Sequence, residues 1–210
     1  MSTATAPLEL YRHRLSGHSH RVELMASLLG VPLQCIDVDL RAREQKQPAF
    51  LAMNAFGQVP VLRDGEVVLA DSNAILVYLV LRQGARSWLP QEPAAAAQVQ
   101  RWLSVAAGPL AAGPAAARRS RVFGGAAPSP ELLAQARALL AVFETHLGSN
   151  AFLAASHPTI ADIANYTYVA HAPEGDLDLA ELPATTAWLQ RIEALPGFVP
   201  MAAGAVGLRA

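Results

Sequence analysis

The sequence predicts an α/β domain at the N-terminal end, in the order βαβ-α-ββα, followed by an all-α helical domain. Three observations carry this. Short alternating or apolar runs at 8–13, 33–38, 61–63 and 67–69 read as strands, the last two joined by the turn pair Asp64-Gly65. Residues 83–93 (Gln-Gly-Ala-Arg-Ser-Trp-Leu-Pro-Gln-Glu-Pro) break all periodicity. Beyond them, every patterned stretch has helical spacing. The expected division is 1–84 for the α/β domain, 85–93 for the linker and 94–210 for the helical domain.

The first strand is Leu8-Glu9-Leu10-Tyr11-Arg12-His13, followed by the polar bend Arg14-Leu15-Ser16-Gly17-His18-Ser19-His20. Val22, Met25, Leu28 and Leu29 share one face of a helix starting near Ser19, which Gly30 and Pro32 end. Leu33-Gln34-Cys35-Ile36-Asp37-Val38 is the second strand, and strand–helix–strand order implies a parallel crossover. Residues 41–54 read as a short, irregular helical segment. Pro60 has no N–H to give a ladder, so it belongs at a strand start or edge. With a cis bond there, Val59 would offer its N–H and C=O to an extended ligand. Asp71 or Ser72 caps the next helix, whose apolar face is Ile75, Leu76, Leu79 and Val80. This is the thioredoxin-like order.

In the second half, Gly108-Pro109 and Gly113-Pro114 break the alanine-rich stretch 94–121. Ser129-Pro130-Glu131 is a helix start, with the buried stripe Leu133, Ala136, Leu140, Phe143 and Leu147 behind it. Thr159-Ile160-Ala161-Asp162 has the form of a capping box with a short acid. Trp188, Leu189, Ile192 and Leu195 mark a last amphipathic helix, stopped by Pro196-Gly197.

Composition narrows the function classes. At 52% hydrophobic and 16% charged, the 210 residues bury a core and are not disordered. Sixteen basic against seventeen acidic residues leave no footprint for nucleic acid or an anionic membrane. No apolar run approaches the ~20 residues that span a bilayer. Met1-Ser2-Thr3-Ala4-Thr5 lacks a signal peptide's basic start, and one cysteine permits no internal disulfide, so a soluble, cytoplasmic protein is expected. Cys35, inside an apolar run, is expected as a buried structural thiol. His13, His18 and His20 have no cysteine or carboxylate at ligand spacing and read as surface or helix-start residues, with no metal.

Val59-Pro60 before a hairpin, Asp71-Ser72 opening a helix and Thr159-x-x-Asp162 opening another together resemble the cytosolic glutathione transferases, of the bacterial serine-type (theta-like) kind. The resemblance covers nearly the whole chain. It implies glutathione as co-substrate and no other cofactor, a small hydrophobic electrophile or organic peroxide as second substrate, and a homodimer. Asp71 would meet the γ-glutamyl ammonium and Ser72 the γ-glutamyl carboxylate. The backbone of Val59 would pair with the cysteinyl portion, Lys46 or Gln45 would reach the glycyl carboxylate, and Gln58 would lie on the same rim.

The position of Ser16 in Leu15-Ser16-Gly17 resembles that of the family's catalytic serine, which implies that its hydroxyl and a helix start would favour the thiolate of glutathione, whose thiol is largely protonated with a free pKa of ~8.5. Ser19 or nearby backbone amides could do the same, and Tyr11 is a reserve. The electrophile pocket would lie between the domains, lined by the helix after Pro93 and by Phe198, with Arg118, Arg119 and Arg121 either near an anionic substrate or on a solvated turn.

Two features depart from the relatives. Asn54-Ala55 stands where many have Asn-Pro, and Ser16-Gly17-His18-Ser19 is not the Ser-Ser-Cys motif of the isomerases. Disulfide reduction or isomerisation with glutathione is the first alternative; a non-catalytic interaction module of the same fold is the second.

Overall fold

The computed structural model of the chain describes residues 7–206; the Met1–Thr5 stretch lies outside them. The elements run β1 (Leu8–Arg12), α1 (Gly17–Leu28), β2 (Leu33–Asp37), a 3₁₀ turn (Glu44–Lys46), α2 (Pro48–Leu51), β3 (Val61–Asp64), β4 (Val67–Ala70) and α3 (Ser72–Arg82). Helices follow: α4 (Pro93–Ala107), α5 (Pro109–Ala112), α6 (Pro114–Val122), α7 (Pro130–Leu147), α8 (Ile160–Ala170) and α9 (Pro183–Glu193), with a 3₁₀ turn at Ala172–Gly175.

The sheet has the order β2-β1-β3-β4. β1 pairs with β2 in parallel (Leu10 beside Cys35) and with β3 antiparallel (Leu10 beside Leu62). One face, with Leu8, Leu10 and Leu62, buries against Val22 and Met25 of α1 and Ile75, Leu76 and Leu79 of α3. On the other face Val61 packs with Val38 and Phe50 of α2 in a smaller cluster.

β2 and β4 are the outer strands, and this overturns one expectation. Cys35 is exposed, not buried, because an apolar run on an outer strand has no second neighbour to cover it. Val67 and Val68 on β4 are likewise open, at 42% and 40% exposure.

The helical part is built around α8, whose residues 160–169 are all buried. Its cap is the reciprocal box anticipated from the sequence. The Thr159 amide donates to Asp162 Oδ2 at 2.8 Å, and Thr159 Oγ1 accepts from the Ala161 amide at 3.2 Å. Asp162 also accepts from the Leu153 amide and from Trp188 Nε1 of α9. Ser129 caps α7, accepting from the Leu132 amide at 3.2 Å. Gly108 and Gly113, each followed by proline, divide residues 93–122 into α4, α5 and α6.

Candidate functional site

The site is built at the start of α3. Asp71 is its N-cap, with Oδ1 accepting from the amides of Asn73 at 2.9 Å and Ala74 at 3.1 Å. Its backbone has φ 74° and ψ 122°, a left-handed φ that an L-residue holds at a cost. Ser72, the first helical residue, is buried, and its Oγ accepts from Arg21 Nη1 at 3.1 Å. Arg21 reaches there from α1 and is itself 1% exposed; burial lowers its pKa to about 10, which leaves it charged at neutral pH. A buried cation thus lies directly behind the helix start and adds to the positive end of the α3 dipole.

Asp71 and Ser72 line one side of a cavity of about 790 Å³. Gln58, Val59 and the Val59–Pro60 peptide, which is cis, line another. This loop is braced by buried Asn54, whose Nδ2 donates to the Gln58 carbonyl at 2.8 Å and whose Oδ1 accepts from the Phe56 amide at 3.1 Å. Gly57 has φ 56°, and a β-carbon there would lie 2.6 Å from the Gln45 carbonyl oxygen, so glycine lets the two loops close. Gln45 lines the cavity; Lys46 is not among the lining residues, and its Nζ donates to the Phe56 carbonyl at 3.0 Å.

Ser16 sits at the N-cap of α1, so the helix starts at Gly17, two residues earlier than its apolar pattern suggested. Its Oγ accepts from the Ser19 amide at 3.3 Å, which occupies a lone pair and leaves the hydroxyl proton to be given elsewhere. Ser16 is half-buried and does not itself line the cavity; His18, two residues on, does. His18 Nδ1 lies 2.9 Å from Tyr168 Oη of α8. Desolvation, with Arg21 and Arg119 nearby, lowers the His18 pKa to about 3, so the ring is neutral.

His20 is 3% exposed rather than a surface group, holding Thr167 Oγ1 at 2.9 Å and the Val199 carbonyl at 2.8 Å. Its pKa falls to about 4 through burial, against the pull of that carbonyl. His13 Nδ1 accepts from the Leu15 amide at 3.2 Å. Tyr11 packs edge-on against Phe50, as a strand residue.

The three arginines of α6 separate. Arg118 is buried, with Nε 2.5 Å from Glu174 and Nη1 donating to the Leu15 carbonyl at 2.7 Å, so it anchors the bend before Ser16. Arg121 pairs with Asp176. Arg119 is exposed and lines the cavity. Neither Phe198 nor any α4 residue lines that cavity: Phe198 packs on Tyr166 instead, with ring centroids 5.6 Å apart. Sequence reading missed Arg21 and His18 as site residues. Arg21 stands between His20 and Val22-Glu23 in a mixed stretch, so its burial has no signal in the sequence.

A thioredoxin-like sheet domain, a helical domain after it, and a cleft where the cis-proline edge meets a helix start define a two-domain protein with its candidate site at the sheet's margin. Residues 6–80 match the family model described as Glutathione S-transferase, N-terminal domain, and residues 114–196 match Glutathione S-transferase, C-terminal domain. The chain is 34% identical to Glutathione S-transferase 3 of Zea mays, over 92% of each chain. It is 32% identical to Glutathione S-transferase theta-3 of Mus musculus, over 90% of this chain and 83% of that one. The crystal structure of glutathione S-transferase from Pseudomonas fluorescens has a TM-score of 0.88 at 33% identity, covering 94% of this chain and all of that one. The chain belongs to the glutathione S-transferase family, a family of transferase enzymes.

Proposed function

We propose that this protein binds glutathione with residues 1–84, activates its thiol, and delivers the thiolate to a small hydrophobic electrophile or organic peroxide held toward the helical part, 94–210, beyond the 85–93 linker. The observation that carries the reading is the convergence of Asp71, Ser72, Gln58, Val59 and Gln45 on one cavity.

Each matches one part of the tripeptide. Both α3 amides fall on Asp71 Oδ1, which leaves Oδ2 for the γ-glutamyl ammonium. The γ-glutamyl carboxylate meets Ser72 and the positive end of α3, reinforced by Arg21. The Val59 main chain pairs with the cysteinyl part as an added strand would. Gln45 is the nearer choice for the glycyl carboxylate, since the ammonium of Lys46 is engaged by the Phe56 carbonyl.

Ser16 then gives its hydroxyl proton to the sulfur as a hydrogen bond, and the N-terminus of α1 adds positive potential. Lowering a thiol pKa from ~8.5 to about 6.5 takes about 2.7 kcal/mol of preference for the anion. Glutathione supplies the nucleophile; Ser16 holds it and makes no covalent bond. No metal or further cofactor enters this scheme.

We also propose a cytoplasmic homodimer. Phe56 at 80% exposure, Val67 and Val68 on the outer strand β4, and Val142 at 53% are apolar surface that a second copy would cover.

The test is the ultraviolet titration of the bound thiolate. Ser16→Ala should raise the thiol pKa by one or more units, about 1.4 kcal/mol each, with glutathione affinity near wild type. An unchanged titration removes Ser16 from this role. Failure of the wild type to be retained on immobilised glutathione would instead favour the interaction module.

A further inference from the structure

Ser16 is held mostly by its own loop. Its amide donates to the His13 carbonyl at 2.9 Å, its carbonyl accepts from the His20 amide at 3.0 Å, and its Oγ accepts from the Ser19 amide at 3.3 Å. The Leu15 carbonyl, on the same planar peptide as the Ser16 amide, is held from elsewhere. Arg118 Nη1 of α6, 103 positions away, donates to it at 2.7 Å. With both edges of that plane and the next carbonyl pinned, the Cα–Cβ bond of Ser16 has one direction. With Oγ on an amide, only the hydroxyl hydrogen is left to turn.

Arg118 is 1% exposed, and its guanidinium is itself fixed. Nε donates to Glu174 Oε2 at 2.5 Å. Glu174, fully buried, also takes the Gly204 amide on Oε1 and faces His171 Nδ1 at 3.0 Å. Burial opposes its ionisation, but these bonds, that of Arg118 first, hold the carboxyl below its ordinary pKa, so the pair is charged. Gly175 lets the turn close onto α6: a β-carbon there would lie 2.6 Å from the Arg118 backbone nitrogen. Stability alone does not account for the pair. Nη2 is buried with no hydrogen-bond partner among the described residues, and packed apolar residues commonly match a buried ion pair in stability. Of the donors outside the pair, Nη1 serves Leu15.

We infer that Arg118 is a positioning residue for thiol activation: through the Leu15 carbonyl it sets where the Ser16 hydroxyl meets the glutathione sulfur, while Glu174 holds the guanidinium in place. This rests on the glutathione-binding function proposed above. The adjacent carboxylate cancels most of the cation's distant field, so Arg118 acts through the position of Ser16 and not as a charge on the sulfur. A hydrogen bond weakens steeply as its angle closes, so a small rotation of the 15–16 peptide costs the sulfur its donor.

The experiment is a double-mutant cycle read as the pKa of the bound thiol, with the full chain and glutathione alone. Arg118→Met/Glu174→Gln removes both charges of the pair and keeps an acceptor for the Gly204 amide. It should raise the thiol pKa by about 0.5–1 unit, an about 3- to 10-fold smaller thiolate fraction below the pKa, with glutathione Kd within about twofold of wild type. In a Ser16→Ala background the same two substitutions should move the thiol pKa by less than about 0.2 unit, since the group they position is gone. Arg118→Lys keeps the charge but replaces the planar fork by a single point. It should show a smaller rise of the same kind, and it carries the test if the doubly substituted chain does not fold. A folded variant whose bound thiol titrates as wild type overturns the inference. So does a rise of equal size with and without Ser16, which would have Arg118 acting by charge or through the fold at large. A wild type with an acidic bound thiol, shared unchanged by these variants, refutes this inference alone; a wild type that binds no glutathione refutes the function beneath it.

Discussion

Asp71 has two tasks that substitution can separate. As the N-cap it satisfies two amides of α3 through one oxygen, and as an anion it would hold the ligand's ammonium through the other. Asp71→Asn keeps an acceptor oxygen for the cap and removes the charge. A hydrogen bond to a charged group contributes about 1.5–3 kcal/mol. Because Asp71 is exposed, the lower part of that range applies: about 1.5–2 kcal/mol, or roughly 10- to 30-fold in Kd. Stability should change by less than about 0.5 kcal/mol.

Asp71→Gly goes further. It relieves a φ of 74°, where strain costs about 1–3 kcal/mol, against a loss of a few tenths when glycine replaces a good cap. Stability should therefore hold or rise while affinity falls at least as far as in Asp71→Asn. Calorimetric titration with glutathione and urea denaturation, run on both variants, check the pair of signs. Binding within about twofold of wild type in Asp71→Asn would show a cap and no ligand contact.

Three further expectations concern the scaffold. Asp162→Ala strands the amides of Leu153 and Thr159 and the indole N–H of Trp188 in a buried setting, each costing about 1–3 kcal/mol, so urea unfolding should show roughly 3–9 kcal/mol of destabilisation. A loss under about 1.5 kcal/mol would mean that the network relaxes onto other acceptors. Acid should weaken the fold before the ordinary carboxylates titrate. His18 and His20 have folded pKa values of about 3 and about 4, below an unfolded value of about 6.5, so the unfolded chain binds more protons below pH 6.5 and stability falls with pH. From pH 7 to pH 5 each contributes a loss of about 2 kcal/mol. Glu23 and Asp162, whose pKa values burial raises, offset part of it. A flat urea midpoint over that range would contradict the buried neutral state. Gly17→Ala would put a β-carbon 2.7 Å from the Tyr168 ring, and overpacking of this kind costs about 1–3 kcal/mol. Urea unfolding should show that loss; a midpoint equal to wild type would mean that the ring moves aside without cost.

What could be read from the sequence was local. Asp64-Gly65, Ser129-Pro130, Thr159-x-x-Asp162 and Asp71-Ser72 each fix an end of an element with groups a few residues apart, and the structure has them as turn or cap. That Asp71, Ser72, Gln58 and Val59 line one cavity is local in the same way, since one short segment brings them together.

What sequence patterns hid was nonlocal. Apolar alternation around Cys35 and Val68 says that a strand forms, not that it lies at the sheet's edge, which depends on the order of strands. His18 and Tyr168 are 150 positions apart, so the partner of the imidazole cannot be found from the helix start alone. In sequence Arg118 is indistinguishable from Arg119 and Arg121; only the buried Glu174 beside it, 56 positions away, separates the three.

Most direct is the pKa of the glutathione sulfur on the wild-type protein, followed by thiolate absorbance as pH is varied. A value near 6.5, well below the ~8.5 of the free thiol, is expected from a sulfur held by Ser16 at the start of α1. A bound thiol that titrates as it does in water would contradict the proposed chemistry.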